Sequence, residues 1–233
     1  MRRFRSDKGL LKICVPIMEG TPGAALRRMK DADRIADLIE LRVDSLKPPS
    51  LRELLGAGEK PRIVTPRRKE EGGKFAGEER DRLKILKEAC ALGAAYVDVE
   101  VGSGRRFLKE TFACRRRTRI ILSFHDFQKT PSPQELERLL IRMIGFGADV
   151  VKIVTYAQSF EDNLSVLALI PSARKKGQKI LSFAMGAKGR MSRIFAPFLG
   201  AAWTYAALEK EKASAPGQLT VQEMKTIWEY MKG

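Results

Sequence analysis

Histidine and cysteine are the scarce residues of this 233-residue chain: there is one histidine, His125, and three cysteines, Cys14, Cys90 and Cys114. One imidazole and three scattered thiols fall short of a zinc ligand set, so no metal is expected. The same three cysteines are too few and too far apart in sequence for a disulfide framework or a thiolate cluster. No apolar run approaches the roughly 18 residues of a membrane helix, so no membrane partner is expected. The basic opening MRRFRSDKGL leads into no apolar h-region and reads as a tail over 1–10, not as a secretory signal. The expectation is a soluble, cytoplasmic globular protein.

Negative charge is also short, with 28 Asp and Glu against 44 Lys and Arg, a formal net charge of +16. Such a balance attracts anions, nucleic acid among them. The basic residues are nonetheless spread over Arg2–Arg5, Arg67–Lys69, Arg115–Arg119 and Arg174–Lys179, with no interleaved stacking aromatics and no recognised nucleic-acid motif. A solvated basic face and an anionic small-molecule substrate are therefore expected, with no specific nucleic acid. What the chain has in quantity is core-forming material, 44% hydrophobic residues beside 31% charged, which excludes disorder.

That material is periodic from end to end. Strand-like runs cover 11–18, 37–44, 61–67, 95–101, 119–127, 149–157, 179–186 and 201–208. Amphipathic stretches at 78–93, 132–147 and 220–231 carry apolar residues at helical spacing, and Pro133 suits a first helical turn. Gly93, Gly147 and Gly177 each stand where a helix should stop just before a strand. The second and seventh helices are weak, and 187–200 reads as a loop leading into a short helix. Eight alternations predict an α/β chain folded as one (β/α)8 TIM barrel over 1–233, with a seven-stranded doubly wound sheet as the alternative.

Parity within the strands is more telling than their number. Ile39, Leu41 and Val43 oppose Glu40, Arg42 and Asp44; Val97, Val99 and Val101 oppose Asp98 and Glu100; Leu122 and Phe124 oppose Ser123, His125 and Phe127; Val151 and Ile153 oppose Lys152. The apolar set should face the helices, which sends ionisable side chains into the barrel. Burying that many charges is costly unless they pair or perform chemistry. A structural ion network is one reading and an active site the other, since barrels place catalysts toward strand C-terminal ends.

Lys152, in VVKIV, is flanked by β-branched aliphatics, and burial there favours a neutral amine able to form a Schiff base with a carbonyl. His125 is the side chain suited to moving the neighbouring proton. A lysine that activates a ketone beside such a histidine makes a lyase or an aldolase. Arg42, Arg67 and Arg193 offer planar donors for carboxylate or hydroxyl groups. MGAKGRMSR (185–193) has the glycines of a phosphate cradle, and ASAPGQ (213–218) has the composition of a loop able to close over a site.

ELRVD (40–44), SFHDFQKTP (123–131), VKI (151–153), MGAKGRMSR and SAPGQ (214–218) resemble, in order and spacing, the motifs of the type I 3-dehydroquinate dehydratase family over nearly the whole chain. The resemblance implies a (β/α)8 barrel and a homodimer without metal or organic cofactor, removing water from 3-dehydroquinate to give 3-dehydroshikimate in the shikimate pathway. It implies that Lys152 forms the imine, that His125 moves the proton and that Glu71 orients the histidine. Arg193 would hold the substrate carboxylate with Ser214 and Gln218, Glu40, Arg42 and Arg67 the hydroxyls, while Met185 and Phe127 pack on the ring. A class I aldolase is the alternative enzyme, though it lacks the HDF and SAPGQ pairing, and a basic nucleic-acid-binding module is the alternative outside enzymes.

Overall fold

Short β-rich runs separated by capped amphipathic helices set the architecture, which a computed structural model describes for residues 11–47 and 50–232. The tail expected over 1–10 lies outside the described residues. The strands are β1 (Ile13–Ile17), β2 (Leu38–Arg42), β3 (Arg62–Thr65), β4 (Tyr96–Glu100), β5 (Arg119–His125), β6 (Val150–Tyr156), β7 (Lys179–Met185) and β8 (Thr204–Tyr205). All pair in parallel in the order β7-β6-β5-β4-β3-β2-β1-β8, and Ala202 N–H donates to the Ile180 carbonyl (2.9 Å) where β7 and β8 come round to each other. Each strand lies beside its sequence neighbour, so the order lacks the reversal of a doubly wound sheet. The fold is a nearly closed (β/α)8 TIM barrel.

The helices are α1 (Pro22–Asp33), α2 (Leu51–Gly56), α3 (Glu79–Ala91), α4 (Arg105–Cys114), α5 (Pro133–Gly145), α6 (Asp162–Lys175), α7 (Arg190–Leu199) and α8 (Val221–Lys232). Among the described residues, no helix is long and apolar enough to cross a membrane. α5 starts in a capping box, with Ser132 and Glu135 each satisfying the other's backbone N–H and Pro133 at the first turn. Gly93, Gly147 and Gly177 take φ of 82°, 80° and 71°, the left-handed stops expected of them. Two expectations shift. The segment 187–200 is mostly the helix α7, and the eighth strand shrinks to two residues because from Ala207 the backbone turns to pair with Leu219 and Val221.

Parity sorts the core as the alternation requires. Ile39, Leu41, Val97, Val99, Leu122, Val151 and Ile153 pack with Met29, Leu86, Leu140 and Ile170 of the helices. A second cluster, with Leu38, Ile63, Tyr96, Ile121, Val150, Leu181 and Trp203, fills the lower barrel interior. Two residues further along the same strands stand Glu40, Thr65, Asp98, Ser123, Lys152, Phe183 and Tyr205, all buried.

Candidate active site

Above this apolar plug the interior turns ionic. Lys152 is 5% exposed, and its Nζ lies 3.0 Å from Asp98 Oδ2, 3.5 Å from Glu40 Oε1 and 3.3 Å from the Tyr205 hydroxyl. The Tyr205 ring also packs beneath it, 4.6 Å from Nζ to centroid. Lys152 is the third residue of seven in β6, so the amine is delivered from mid-barrel by a long side chain and not from the strand's C-terminal end. Nor is its setting purely aliphatic, as VVKIV suggests: two carboxylates and a phenol surround the amine.

Arg67 ties the floor together, reaching Asp98 Oδ1 (2.8 Å), Glu100 Oε1 (3.0 Å) and Ser123 Oγ (2.7 Å). Glu100 is held from behind by Arg82 of α3 at 2.6 Å. The ion network and the site are thus one structure, and mutual pairing is what makes the burial tolerable. Arg42 is likewise engaged, in a two-pronged pair with Asp44 at 2.9 and 2.8 Å.

Arg193 is the exception. It is 1% exposed, stacked over Phe183 at 4.6 Å, and its Nε and Nη2 have no hydrogen-bond partner among the described residues. Burial pushes it down to about 10, which leaves it a cation at neutral pH. Gln218 Nε2 likewise has no partner among the described residues, while its Oε1 accepts from the Ser214 N–H (2.7 Å) and hydroxyl (3.1 Å). Both residues line one cavity. Free donors and a free cation around such a space suit an oxygen-rich anion.

His125 ends β5 at the same cavity. Glu71 Oε2 accepts its backbone N–H (3.0 Å) and lies 2.9 Å from Nδ1, so an ionised Glu71 holds the ring proton on Nδ1 and leaves Nε2 basic. Burial, followed by the Arg67 and Lys152 cations, holds His125 well below its ordinary value, and the ring is neutral at physiological pH. Burial pushes Glu71 up to about 7 against the opposing pull of Arg67. Asp98 behaves oppositely: burial raises it, but Arg67 and Lys152 outweigh burial and keep it ionised. Loop 213–218 roofs the cavity, with Gly186 N–H donating to the Pro216 carbonyl (3.1 Å). Gly217 sits at φ 76° against the Gly186 backbone, where a Cβ would collide.

The model of the family described as type I 3-dehydroquinase matches residues 13–233. The chain belongs to the type I 3-dehydroquinase family. It is 35% identical to the 3-dehydroquinate dehydratase of Methanocaldococcus jannaschii over 221 residues, covering 94% of this chain and 98% of that one. Among solved structures it resembles the 3-dehydroquinate dehydratase of Geobacillus kaustophilus, with TM-score 0.87 and 26% identity over 95% of this chain and 91% of that one. It also resembles the Clostridium difficile type I 3-dehydroquinate dehydratase solved with covalently modified comenic acid, with TM-score 0.85 and 28% identity over 96% and 93% of the two chains.

Every residue that the sequence nominated for the type I site lines this one cavity: Glu40, Arg42, Arg67, Glu71, His125, Phe127, Lys152, Met185, Arg193, Ser214 and Gln218. Phe127 falls past the end of β5, is 41% exposed and lies over the His125 ring at 6.4 Å, so it forms rim and not interior. Arg42 and Arg67, expected to offer free donors, spend most of theirs on carboxylates. The glycines of 186–189 let the chain turn tightly into α7 and accept the roof loop. Sequence reading missed Tyr205 and Arg82. Tyr205 shares parity with Trp203 in the eighth run, and Arg82 occupies the apolar face of its helix with Leu86 and Ala89, a place where a cation signals a buried partner.

Proposed function

We propose that the chain removes water from 3-dehydroquinate to give 3-dehydroshikimate, a step of the shikimate pathway, through an imine on Lys152. The observation carrying this reading is that a buried amine, a neutral imidazole and an unpaired guanidinium share one roofed cavity. Arg193 and Gln218 Nε2 bind the substrate carboxylate, and Ser214 closes above it. The carboxylate supplies the partner that the buried guanidinium lacks.

With the substrate held, Lys152 gives its proton to His125 and attacks the ketone carbon. His125 returns that proton to the carbinolamine hydroxyl, which leaves as water; the result is an iminium, an electron sink that acidifies the adjacent C–H, and a basic imidazole once more. His125 Nε2 takes that proton, with the Nδ1–Glu71 hydrogen bond fixing the ring's tautomer and angle. The same nitrogen then protonates the departing hydroxyl, and hydrolysis of the imine frees the product. Asp98, kept ionised, steadies the positive nitrogen through imine formation and breakdown. Glu40 and Arg42 orient ring hydroxyls, Arg67 holds the carboxylate floor, and Met185 and Phe127 bound the ring. No step calls on a metal or organic cofactor. The protein acts in the cytoplasm as a homodimer, an assembly supported by exposed apolar side chains, with Phe160 and Leu164 each 63% exposed and Phe195 and Phe198 each 40%.

Borohydride added with 3-dehydroquinate should leave a stable adduct that peptide mapping assigns to Lys152, and turnover should appear as absorbance of the conjugated product. Absence of an adduct, or an adduct on Lys69 or Lys188, overturns the assignment.

A further inference from the structure

Cys90 and Cys114, which lie 24 residues apart and look scattered in sequence, meet across neighbouring helices with their sulfurs 3.1 Å apart. Cys90 is buried on the inner face of α3, whereas Cys114, the last residue of α4, is only partly covered. We propose that this pair is a redox modification site that takes an anionic low-molecular-weight disulfide as oxidant and becomes an intramolecular cross-link between α3 and α4.

The two thiols have different surroundings and hence different roles. Cys114 is the attacking sulfur because it is the more open of the two, and the sulfur–sulfur hydrogen bond with Cys90, and more weakly the Lys87 ammonium, favour its thiolate against the effect of burial. Lys87 is itself paired with Glu110 at 2.9 Å, so the neighbouring sulfur is the main influence. Cys90, by the same hydrogen bond and by burial, is held as the thiol. Beyond Cys114 the chain runs into Arg115, Arg116 and Arg117, the last two exposed, which draw a negatively charged oxidant to the partly open sulfur. The chemistry balances in two exchanges. Cys114 thiolate attacks one sulfur of the small disulfide RSSR; that S–S bond breaks, one RS⁻ leaves, and a mixed disulfide forms on Cys114. Cys90 then loses its proton to solvent and displaces the second RS⁻, so the protein gives up two electrons and RSSR becomes two thiols.

Cys14 provides the internal control. It is fully buried within the barrel, and burial, then Glu40, raises it well above the ordinary thiol value, so it should stay reduced.

The test is incubation of the full chain with oxidised glutathione, followed by maleimide quenching in denaturant, intact mass measurement and peptide mapping. The expected product is a chain not covalently joined to another, with one remaining alkylatable cysteine, Cys14, and a Cys90–Cys114 linked peptide. Closing a loop of this length in the unfolded chain should raise the thermal midpoint of the oxidised protein by roughly 5–10 °C over the reduced one. Cys90→Ser cannot close the link and should accumulate one glutathione adduct on Cys114, which keeps the proposal testable apart from any change in stability. Three alkylatable cysteines after oxidation, a cross-link only between chains, or a Cys90→Ser protein without the adduct each overturn it.

Discussion

The barrel interior divides into two regions two residues apart along the same strands, and they obey different physics. At the first inward positions stand Leu38, Ile63, Tyr96, Ile121, Val150 and Trp203, an apolar plug. At the next stand Glu40, Asp98, Ser123 and Lys152, with Arg67, Glu100 and His125 above them. The lower region gains from burial itself, about 1.5–3 kcal/mol for each large aliphatic side chain. The upper region loses desolvation energy for every charge and recovers it only through pairing. The difference teaches that stability and chemistry are separated here by a step of one side-chain repeat, with the ion network as the boundary between them.

Substitutions at each level should separate the two regions. The largest effect is expected from His125→Ala, which should lower kcat about 10²–10⁴-fold while borohydride trapping of the imine persists; a near-normal kcat would remove the imidazole from the reaction. Ile121→Ala, in the plug, should cost about 2–5 kcal/mol in denaturant unfolding while the folded protein keeps its rate. A large loss of kcat at unchanged stability would show that the two regions are not separable. Arg193→Gln should raise KM by about 10²-fold with little change in kcat, because it removes the cation that meets the substrate carboxylate. The thermal midpoint should not fall, since an unpaired buried charge goes with it.

Glu71 sharpens the comparison through pH. Its folded value, about 7, lies above the ordinary 4.5, so the folded state retains a proton that the unfolded chain has released between these limits. That contribution to stability is complete below about pH 4.5 and is lost as pH rises through about 7. Glu71→Gln lacks the titration, and between pH 5 and 8 its unfolding free energy should gain on the parent's by on the order of 1–3 kcal/mol. A difference that is flat with pH would refute the raised value. The smallest effect belongs to Tyr205→Phe, which keeps the ring and removes the hydroxyl 3.3 Å from Lys152. Imine formation in single-turnover trapping should slow about 3–10-fold with stability nearly unchanged. An unchanged rate would mean that the ring alone matters.

Much of this plan is legible in the chain because the signals are local. Alternation in ELRVD and VVKIV tells which side chains face inward before any strand partner is known, and the glycines at 93, 147 and 177 mark helix ends through the backbone conformation they permit. Less legible was anything that depends on who stands opposite. Arg42, Arg67 and Arg193 look alike in sequence, yet the first two are engaged by Asp44, Asp98 and Glu100 while the fork of the third is unpaired among the described residues. Tyr205 was hidden by an alanine-rich run whose strand is only two residues long.

Sequence alone therefore determined the number of strands, the inward set and the chemical inventory, since a two-residue repeat and a cap are properties of neighbours along the chain. Tertiary structure alone decided the pairings: Asp98 with Lys152 across 54 positions, Glu71 with His125 across another 54, and Cys90 against Cys114. Those distances follow from how the strands stagger and tilt as the sheet curls into a ring, a geometry that no local pattern encodes.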